Sequence, residues 1–386
     1  MKETVRNFSV LLKKFGFLSK YSGIKINSIE DINKVPFTKR LELQNYNTGR
    51  SPEAPIIFYE ATGGTGGDNF FLGINKVSHD FMVKRAVKAI RLMEVKKKKN
   101  CLNLLFSDLV AKGIIDYGAV LMWVGDVHNY KSLRLARDAL RELSIEYVFA
   151  CPNLLWDVLI SLGKRHTVKK CMVSGELLLP WFRSYFRKTT GIELYNWYGS
   201  SGGFIAAQDD PDDEFMKILD DGLYLEVIDE SGCGHQIGTG TLVYTDLFNY
   251  SSPLIRYVLE DKVTVIKRGR QRYLKLYHRD GEHLKLDGEL VYKGYIAEEL
   301  QKVLLHNKFF VAVSKLPNFQ DSIIIFVPKA DLRRCSAIEP LLLKHIGLKP
   351  KVKGINEDLI VKTIKQEGNI VDYRRLGQKL SGKYRH

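Results

Sequence analysis

Hydrophobic and polar positions in the first half of the chain alternate between a strand pattern and a helix pattern. Strands are predicted at the apolar runs 56–62, 101–107, 118–125, 147–152, 170–176 and 192–199. Helices are predicted where apolar residues repeat with the helical period, at 77–94, 131–144, 153–165 and 180–191. Strands that alternate with helices predict a largely parallel sheet with helices packed on its faces. The predicted fold class is therefore α/β.

The pattern changes twice in the second half of the chain. From about residue 221, short strands and turns (LYLEVID, GTGTLVYTD, LIRYVLEDKVTVI) predict an antiparallel, barrel-like β subdomain that completes the large body. Residues 278–289 are polar and rich in turn formers, and the rest reads as a small α+β unit. We therefore predict a large domain over 1–280 and a small C-terminal domain over 281–386.

The amino terminus and the cysteines indicate a cytoplasmic protein. Residues 1–17 have no apolar core of a signal peptide and instead predict an amphipathic helix with Phe8, Leu11, Leu12 and Phe15 on one face. No apolar stretch approaches the roughly 20 residues that span a bilayer, so no membrane partner is expected. The five cysteines form no CxxC pair and no short metal-ligand cluster, which argues against disulfides and structural zinc.

Positive charge is concentrated in the last third of the chain. The net charge is +15, and the residues from Lys262 onwards carry 26 basic and 13 acidic side chains. This excess fits attraction of an acidic partner such as a nucleotide, coenzyme A or a carrier protein, and it fits a solvated basic face equally well. No aromatic–basic RNA-binding signature accompanies the charge, so nucleic acid is not predicted as a partner.

A glycine-rich segment, Glu60-Ala-Thr-Gly-Gly-Thr-Gly-Gly-Asp68, directly follows a predicted strand. Its glycines let backbone N–H groups converge on one point, and its threonines add hydroxyl donors, so the segment is a candidate phosphate cradle. It is neither a Walker A loop nor GxGxxG. The alternative is a glycine-rich surface turn.

Six segments, in this order, resemble the phenylacetate–coenzyme A ligase branch of the adenylate-forming (ANL) superfamily. They are VPFTKRLEL (35–43), EATGGTGG (60–67), GDVHNYKSLRLARDALRELSIEYVFACPNLL (125–155), MVSGELLLPWFRSYFRKTTGIELYNWYGSSGG (172–203), PLIRYVLED (253–261) and HRDGEHLKLDGELVYKGYIAEELQKVL (278–304). In the last segment Arg279, Glu282, Lys285 and Gly288 are in register with the hinge motif of that family.

The resemblance implies a role for residues in each segment. It assigns Thr62, Gly63, Gly64, Thr65 and Gly66 to the β- and γ-phosphates of ATP, Ser174, Gly175 and Glu176 to adenine, Tyr198, Gly199, Ser200 and Ser201 to the α-phosphate and acyl group, Asp261 and Arg279 to the ribose, and Glu282 to the hinge of a mobile C-terminal lid. Taken one at a time, Asp261 also fits a surface carboxylate beside Lys262, and Arg279 fits a solvated cation.

Several positions depart from the family pattern. Gly202 stands where the family has a magnesium-binding glutamate, and Gly64 and Gly67 stand where its phosphate loop has a hydroxyl residue and a lysine. Asn369 stands at the place of the C-terminal lysine that contacts carboxylate and α-phosphate. Lys365 and Lys383 are the nearby candidates for that catalytic cation.

The activity implied by the resemblance is ATP-dependent activation of a carboxylic acid. The carboxylate of an aromatic or modest-sized acid would attack Mg·ATP to give an acyl-adenylate and pyrophosphate. The acyl group would then pass to an amine or to the thiol of coenzyme A or a carrier protein. Two alternatives stay open: a non-catalytic nucleotide- or acyl-binding protein, and an acyl-transfer subunit similar to the acyl-protein synthetases. The expected state is a monomer or a homodimer.

Overall fold

The computed structural model divides the chain into two compact units, Met1–Tyr277 and His278–His386. It describes residues 2–16, 18–40, 42–43, 55–62, 70–105, 107–124, 130–159, 162–175, 178, 180–200, 203–279, 283–286, 289–315, 321–340, 342, 350–367 and 369–372. Each unit is treated by itself below.

Helices and strands alternate through the first two hundred residues, and strands dominate after that. The helices are α1 (Lys2–Lys14), α2 (Lys76–Leu92), α3 (Asp108–Tyr117), α4 (Tyr130–Glu142), α5 (Pro152–Leu159), α6 (Pro180–Thr190), α7 (Lys293–Leu304) and α8 (Glu357–Glu367). The strands of the large unit are β1 (Ile56–Thr62), β2 (Phe70–Asn75), β3 (Asn100–Asn103), β4 (Val120–Trp123), β5 (Tyr147–Ala150), β6 (Lys170–Val173), β7 (Glu193–Ser200), β8 (Gly203–Ala207), β9 (Met216–Ile218), β10 (Leu223–Ile228), β11 (Gly234–His235), β12 (Gly238–Asp246), β13 (Tyr257–Arg268) and β14 (Gln271–Arg279).

Five strands form the parallel part of the main sheet, in the order β4-β3-β5-β6-β7. Alternate residues of these strands enter two different core clusters. Cys101, Phe149 and Met172 pack with α2 and α3 in the first cluster, whereas Val148 and Val173 pack with α4, α5 and α6 in the second. Helices therefore cover both faces, which explains why the sequence shows continuous apolar runs here. The predicted α/β class is confirmed.

The main sheet continues beyond β7 into antiparallel strands. Its full order is β11-β10-β12-β13-β14-β9-β8-β7-β6-β5-β3-β4, so the parallel and antiparallel parts form one twelve-stranded sheet within the described residues. The pairs β7–β8, β8–β9, β9–β14, β12–β13 and β10–β12 are antiparallel. The short strands predicted after residue 221 are thus present with the expected orientation.

The strands β1 and β2 form a separate antiparallel hairpin, with Thr62 opposite Phe70. The hairpin packs on the segment after β12: Gly73 N–H donates to Ser252 Oγ (3.0 Å), and Asn249 Nδ2 donates to Gly73 O (3.2 Å). A Cβ at Gly73 would lie 2.7 Å from Ile56 Cδ1, so the Ile56 side chain would have to shift to admit one.

The amino terminus folds as its pattern predicts. Helix α1 buries Phe8, Leu11 and Leu12, and Phe15 is buried immediately after its end. These residues form a third core cluster with Tyr224. None of the described helices is both long and apolar enough to cross a membrane. All five cysteines lie in described parts of the chain, and none of them forms a disulfide bond.

The small unit contains a hairpin and a four-stranded mixed sheet. Its strands are β15 (His283–Leu286), β16 (Glu289–Tyr292), β17 (Phe310–Lys315), β18 (Asp321–Pro328), β19 (Lys351–Ile355) and β20 (Ile370–Asp372). The sheet order is β19-β18-β17-β20, and β15 pairs with β16. Alternate residues of β17 face two different core clusters, Val311 in one and Phe310 in the other. Both faces of this small sheet are therefore buried.

Candidate functional site

The parallel strands end at one edge of the main sheet, which is where ligands of open α/β sheets bind. Ser174 and Gly175 follow β6 at this edge. Ser174 is buried, and its N–H donates to Ala150 O (3.2 Å) at the end of β5. Gly175 has φ 86°, a left-handed conformation that favours glycine, and no described heavy atom lies within 4 Å of where its Cβ would be. Glu176, the third predicted adenine residue, lies outside the described residues.

The tyrosine–glycine motif lies at the junction of β7 and β8. The register between the two strands shifts between Tyr198 and Gly199, as in a β-bulge. A Cβ at Gly199 would lie 3.1 Å from Gly203 O, so the close approach of the two strands favours glycine. Ser200 ends β7 and is half-buried. Ser201 and Gly202, which follow it, lie outside the described residues.

Tyr198 and Asp261 meet directly. The Tyr198 hydroxyl donates to Asp261 Oδ2 at 2.6 Å, and the two residues are 7% and 4% exposed. Asp261 is thus a buried strand residue and not a surface turn carboxylate. A buried carboxylate needs hydrogen-bond donors, and the tyrosine is one of them.

A bulge in β13 sets the position of Asp261. Thr241 pairs with Lys262 and Val243 with Val258, so β13 has two more residues than β12 across this interval. Bulges of this kind re-aim side chains next to functional sites. Lys262, the next residue along the strand, donates to Thr241 Oγ1 (2.9 Å).

The hydrogen bond between Tyr198 and Asp261 also shows that the sheet is strongly curled. Strands β7 and β13 are four positions apart in the sheet order. In a flat sheet they would be separated by about 19 Å, which a tyrosine and an aspartate cannot bridge. The antiparallel strands must therefore curl back toward the end of β7.

The segment that precedes the hairpin supports the start of β13. Thr38 N–H donates to Arg256 O (2.9 Å), and Val258 N–H donates to Thr38 O (3.0 Å). The buried Arg256 forms an ion pair with Glu226 (2.9 Å) and donates to Val35 O (2.7 Å). Burial raises the pKa of Glu226 even though this guanidinium lies beside it. Residues 35–38 are therefore held alongside the strand that carries the aspartate.

Another buried arginine, Arg85, donates a hydrogen bond to the backbone of β8, the strand that follows the tyrosine–glycine motif. Its Nε donates to Phe204 O (2.8 Å) and its Nη1 to Asp221 O (2.6 Å). It also interacts electrostatically with the fully buried Asp246, which accepts from Ser78 Oγ (2.5 Å). Burial lowers the pKa of Arg85 and raises the pKa of Asp246. Arg85 was not among the residues predicted from sequence, although its place on the apolar face of α2 is a signal that could have identified it.

The predicted phosphate cradle is the connection of the β1–β2 hairpin. Thr62 is the last residue of β1, directly opposite Phe70 at the start of β2. The strand predicted before the glycines is confirmed. Gly63, Gly64, Thr65, Gly66 and Gly67 lie outside the described residues, so their role as a phosphate cradle stays a prediction.

The second predicted ribose ligand, Arg279, is the last residue of β14, which neighbours β13. The structure describes the backbone of this residue but not its side chain. Glu282, the predicted hinge, and Gly288 lie outside the described residues. The roles of Arg279 and Glu282 stay predictions.

The side chain of Asn369 is held by hydrogen bonds to backbone oxygens of the small unit. Its Nδ2 donates to Asn307 O (3.0 Å) and to Phe309 O (3.1 Å), so both amide hydrogens are used. Its backbone oxygen accepts from Val311 N–H (2.8 Å). Lys365 lies on α8 and is exposed. Lys383 lies outside the described residues.

Metal ligands are sparse in the described part of the chain. No group of three or more His, Cys, Asp and Glu side chains is arranged there to hold a metal ion. Magnesium usually binds nucleotide phosphates and water together with one or two carboxylates.

Comparison with solved structures identifies the fold. A 2-hydroxyisobutyryl-CoA ligase, solved in the postadenylation state in complex with 2-HIB-AMP, superposes with a TM-score of 0.75. It is 18% identical, and the alignment covers 97% of this chain and 88% of that one. The chain has the fold of the adenylate-forming ligases. The amide bond synthetase McbA from Marinactinospora thermotolerans aligns with a TM-score of 0.57 and 17% identity, over 81% of this chain and 70% of that one.

A curated protein agrees with this fold at the level of sequence. Indoleacetate–lysine synthetase from Pseudomonas savastanoi is 22% identical over 193 residues, which are 48% of this chain. The match spans 46% of that synthetase, less than half of its length. No protein-family model matches the chain. The resemblance to the adenylate-forming superfamily is confirmed, and the narrower phenylacetate–coenzyme A ligase branch stays a prediction.

Proposed function

We propose that this protein activates a carboxylic acid with ATP, forming an acyl-adenylate and pyrophosphate, and then transfers the acyl group to an acceptor. The observation that carries the proposal is the buried hydrogen bond between Tyr198 and Asp261 (2.6 Å). It brings two of the six resembling segments, 63 residues apart in sequence, to one place beside the end of β7. Ser174 and Gly175, which belong to the same segment as Tyr198, follow β6, which pairs with β7 in parallel.

The described residues suit a nucleotide in chemical terms. A buried carboxylate such as Asp261 accepts hydrogen bonds from ribose hydroxyls, and Arg279 would complete the ribose contact, as the resemblance implies. The conformation of Gly175 leaves space beside the end of β6, which a flat base could fill. Residues Thr62 to Gly66 would bind the β- and γ-phosphates, because a glycine-rich turn presents several N–H donors.

The first reaction forms one bond and breaks one. A carboxylate oxygen attacks the α-phosphorus of ATP, and the bond between the α-phosphorus and the bridging oxygen of pyrophosphate breaks. Enzymes accelerate such steps mainly by positioning and by stabilising charge on the phosphoryl oxygens. Tyr198, Gly199, Ser200 and Ser201 would provide the contacts to the α-phosphate and acyl group. Magnesium would enter with ATP.

The second reaction releases AMP when an acceptor attacks the acyl carbon. The names of the similar proteins support two classes of acceptor. A CoA ligase supports a thiol, whereas an amide bond synthetase and an indoleacetate–lysine synthetase support an amine. We propose that Glu282 is the hinge of the movement between the two reactions.

ATP–pyrophosphate exchange over a panel of aromatic and small aliphatic acids tests the first reaction. We expect exchange with at least one acid, and an at least tenfold loss in Asp261→Asn. The exposed Asp116→Asn on α3 should leave the rate unchanged. AMP titration should show weaker binding to Arg279→Ala but not to Arg272→Ala, at the opposite end of β14. Absence of exchange with every acid, together with absence of AMP binding, contradicts the proposal.

The second candidate function is a non-catalytic nucleotide- or acyl-binding protein. The geometry of Asn369 favours it, because both amide hydrogens at the place of the family lysine are bonded to backbone oxygens. No positive charge is supplied at this position. AMP binding without pyrophosphate release from any acid would support this second function over the first.

A further inference from the structure

A buried side-chain donor lies at the end of β3, among the strands that form the candidate site. Asn103 is the last residue of β3, opposite Phe149 of β5 and Trp123 of β4, and it is 0% exposed. Its Oδ1 accepts from Leu105 N–H (3.1 Å), and this bond fixes which amide atom is oxygen. Nδ2 has no hydrogen-bond partner among the described residues.

Trp197 carries a second such donor on the same face of the sheet. Its Nε1 also has no partner among the described residues, and Trp197 is 1% exposed. Its ring packs edge-on against Phe149, with centroids 5.7 Å apart. Because side chains alternate along a strand, Asn103 faces the same side as Cys101, in the core cluster that also contains Phe149 and Trp197. The two donors thus flank Phe149.

Buried polar groups without partners are rare in folded proteins, because the lost hydrogen bond with water is not replaced. Both donors here lie near the carboxyl ends of their strands, and Trp197 directly precedes Tyr198. The amide and the indole N–H groups each donate to an oxygen or ring-nitrogen acceptor. An acceptor atom of a ligand placed beside each donor would satisfy it.

We propose that Asn103 donates a hydrogen bond to an acceptor atom on the acyl part of the bound acid, with Trp197 as the second donor. This inference rests on the proposed function and deepens it. The preferred substrate class is then a carboxylic acid that carries a hydroxyl, carbonyl or ring-nitrogen acceptor in addition to its reacting carboxylate. A site built around a donor discriminates strongly against the isostere that lacks the acceptor.

Pairs of acids that differ in one acceptor provide the test. Nicotinate and benzoate have nearly the same shape, and the ring nitrogen adds one acceptor. The hydroxybenzoates, each compared with benzoate, vary the position of the acceptor. The affinity of each acid is measured by calorimetry in the presence of AMP, and kcat/KM by ATP–pyrophosphate exchange. For at least one pair we expect wild type to prefer the acceptor-bearing acid about tenfold or more.

Two variants of Asn103 remove the donor in different ways. Asn103→Leu is close in size and has no polar group, and Asn103→Asp keeps the acceptor for Leu105 N–H. Both should reduce the preference to near one, mainly through the affinity of the acceptor-bearing acid. Asn100→Leu, at the opposite end of the same strand, is the matched control and should keep the wild-type preference. Thermal unfolding establishes that each variant is folded.

The outcomes separate this inference from the proposed function. A preference in calorimetry that both Asn103 variants lose supports the inference even if no acid gives exchange, in which case the proposed function fails alone. Exchange with equal preference in wild type and both variants overturns the inference and leaves the proposed function standing. Failure of every acceptor-bearing acid to bind more tightly than benzoate also overturns the inference.

Discussion

The Tyr198 hydroxyl donates to Asp261 Oδ2 at 2.6 Å, although three strands of the sheet lie between the strands that carry the two residues. The contact joins the last parallel strand, β7, to the bulge of the antiparallel strand β13. Curling of the antiparallel part makes this contact geometrically possible. The candidate nucleotide site therefore depends on the shape of the whole sheet and not on one loop.

Replacing Tyr198 with phenylalanine should weaken nucleotide binding and stability together. The change removes one donor from a buried carboxylate, and a hydrogen bond to a charged group contributes about 1.5–3 kcal/mol. We expect the free energy of unfolding to fall by about 2 kcal/mol and the Kd for AMP to rise about tenfold. Urea unfolding and calorimetric titration measure the two quantities.

Tyr195→Phe is the matched control for this change. Tyr195 lies on the same strand, and its hydroxyl interacts with Lys170, so its removal should leave AMP affinity unchanged. Equal AMP affinity of wild type and Tyr198→Phe would contradict the assignment of Asp261 to the ribose.

Replacing Asn369 with alanine should destabilise the small unit without changing AMP affinity. Two neutral hydrogen bonds, to Asn307 O and Phe309 O, are lost. At about 1 kcal/mol each, the expected cost is about 2 kcal/mol. Hydrogen exchange of the amides of β17 and β20 measures this local stability.

Asn356→Ala, which removes a bond to Asp358 N–H at the start of α8, controls for a general loss of stability. If Asn369→Ala has normal stability but a changed rate of ATP–pyrophosphate exchange, Asn369 has a catalytic role and not a structural one.

The buried pair of Arg85 and Asp246 should show strong coupling in a double-mutant cycle. Arg85→Met removes the positive charge that offsets burial of the Asp246 carboxylate, so this single change should be strongly destabilising. In Arg85→Met/Asp246→Asn the uncompensated charge is gone, so the double variant should lose much less stability than the sum of the single changes. Denaturant unfolding of the four proteins measures the coupling. Additive losses would show that the two side chains do not interact.

His166 should make stability depend on pH below about 6.5. Burial lowers the pKa of His166 from its ordinary value of 6.5, so the unfolded chain takes up the proton first as the pH falls. The contribution is fully present above pH 6.5 and is lost as the pH falls from there toward the lower pKa of the folded state. His166→Gln should flatten this part of the profile in thermal unfolding between pH 5 and 8. An identical slope in wild type and variant would show that another group titrates there.

Several features were predictable from sequence because they depend on local pattern. The strands β3, β5 and β6 could be predicted from continuous apolar runs, which arise because helices cover both faces of these strands. The spacing of Phe8, Leu11 and Leu12 predicted which face of α1 is buried. Asp261 was identified through a resemblance extending over six segments, and its burial could not be read from its immediate neighbours, since an aspartate beside a lysine is usually exposed.

Other features could not be predicted because they arise from long-range packing. Arg85 donates to Phe204 O, 119 residues away in sequence, and its place on the apolar face of α2 indicates burial but does not indicate this partner. Whether an acceptor lies near Asn103 Nδ2 depends on which groups surround this atom in the folded chain. The use of both Asn369 amide hydrogens also depends on Asn307 and Phe309, which come from a distant turn.

The order of hydrophobic residues determined which segments become strands and helices, because burial on one or both faces imposes a period on the sequence. Tertiary structure decided which side chains share a site. Tyr198 meets Asp261 because the twelve-stranded sheet curls, and this curl depends on many strand pairings and on the bulges at Tyr198–Gly199 and in β13. No short stretch of sequence contains all of these contacts.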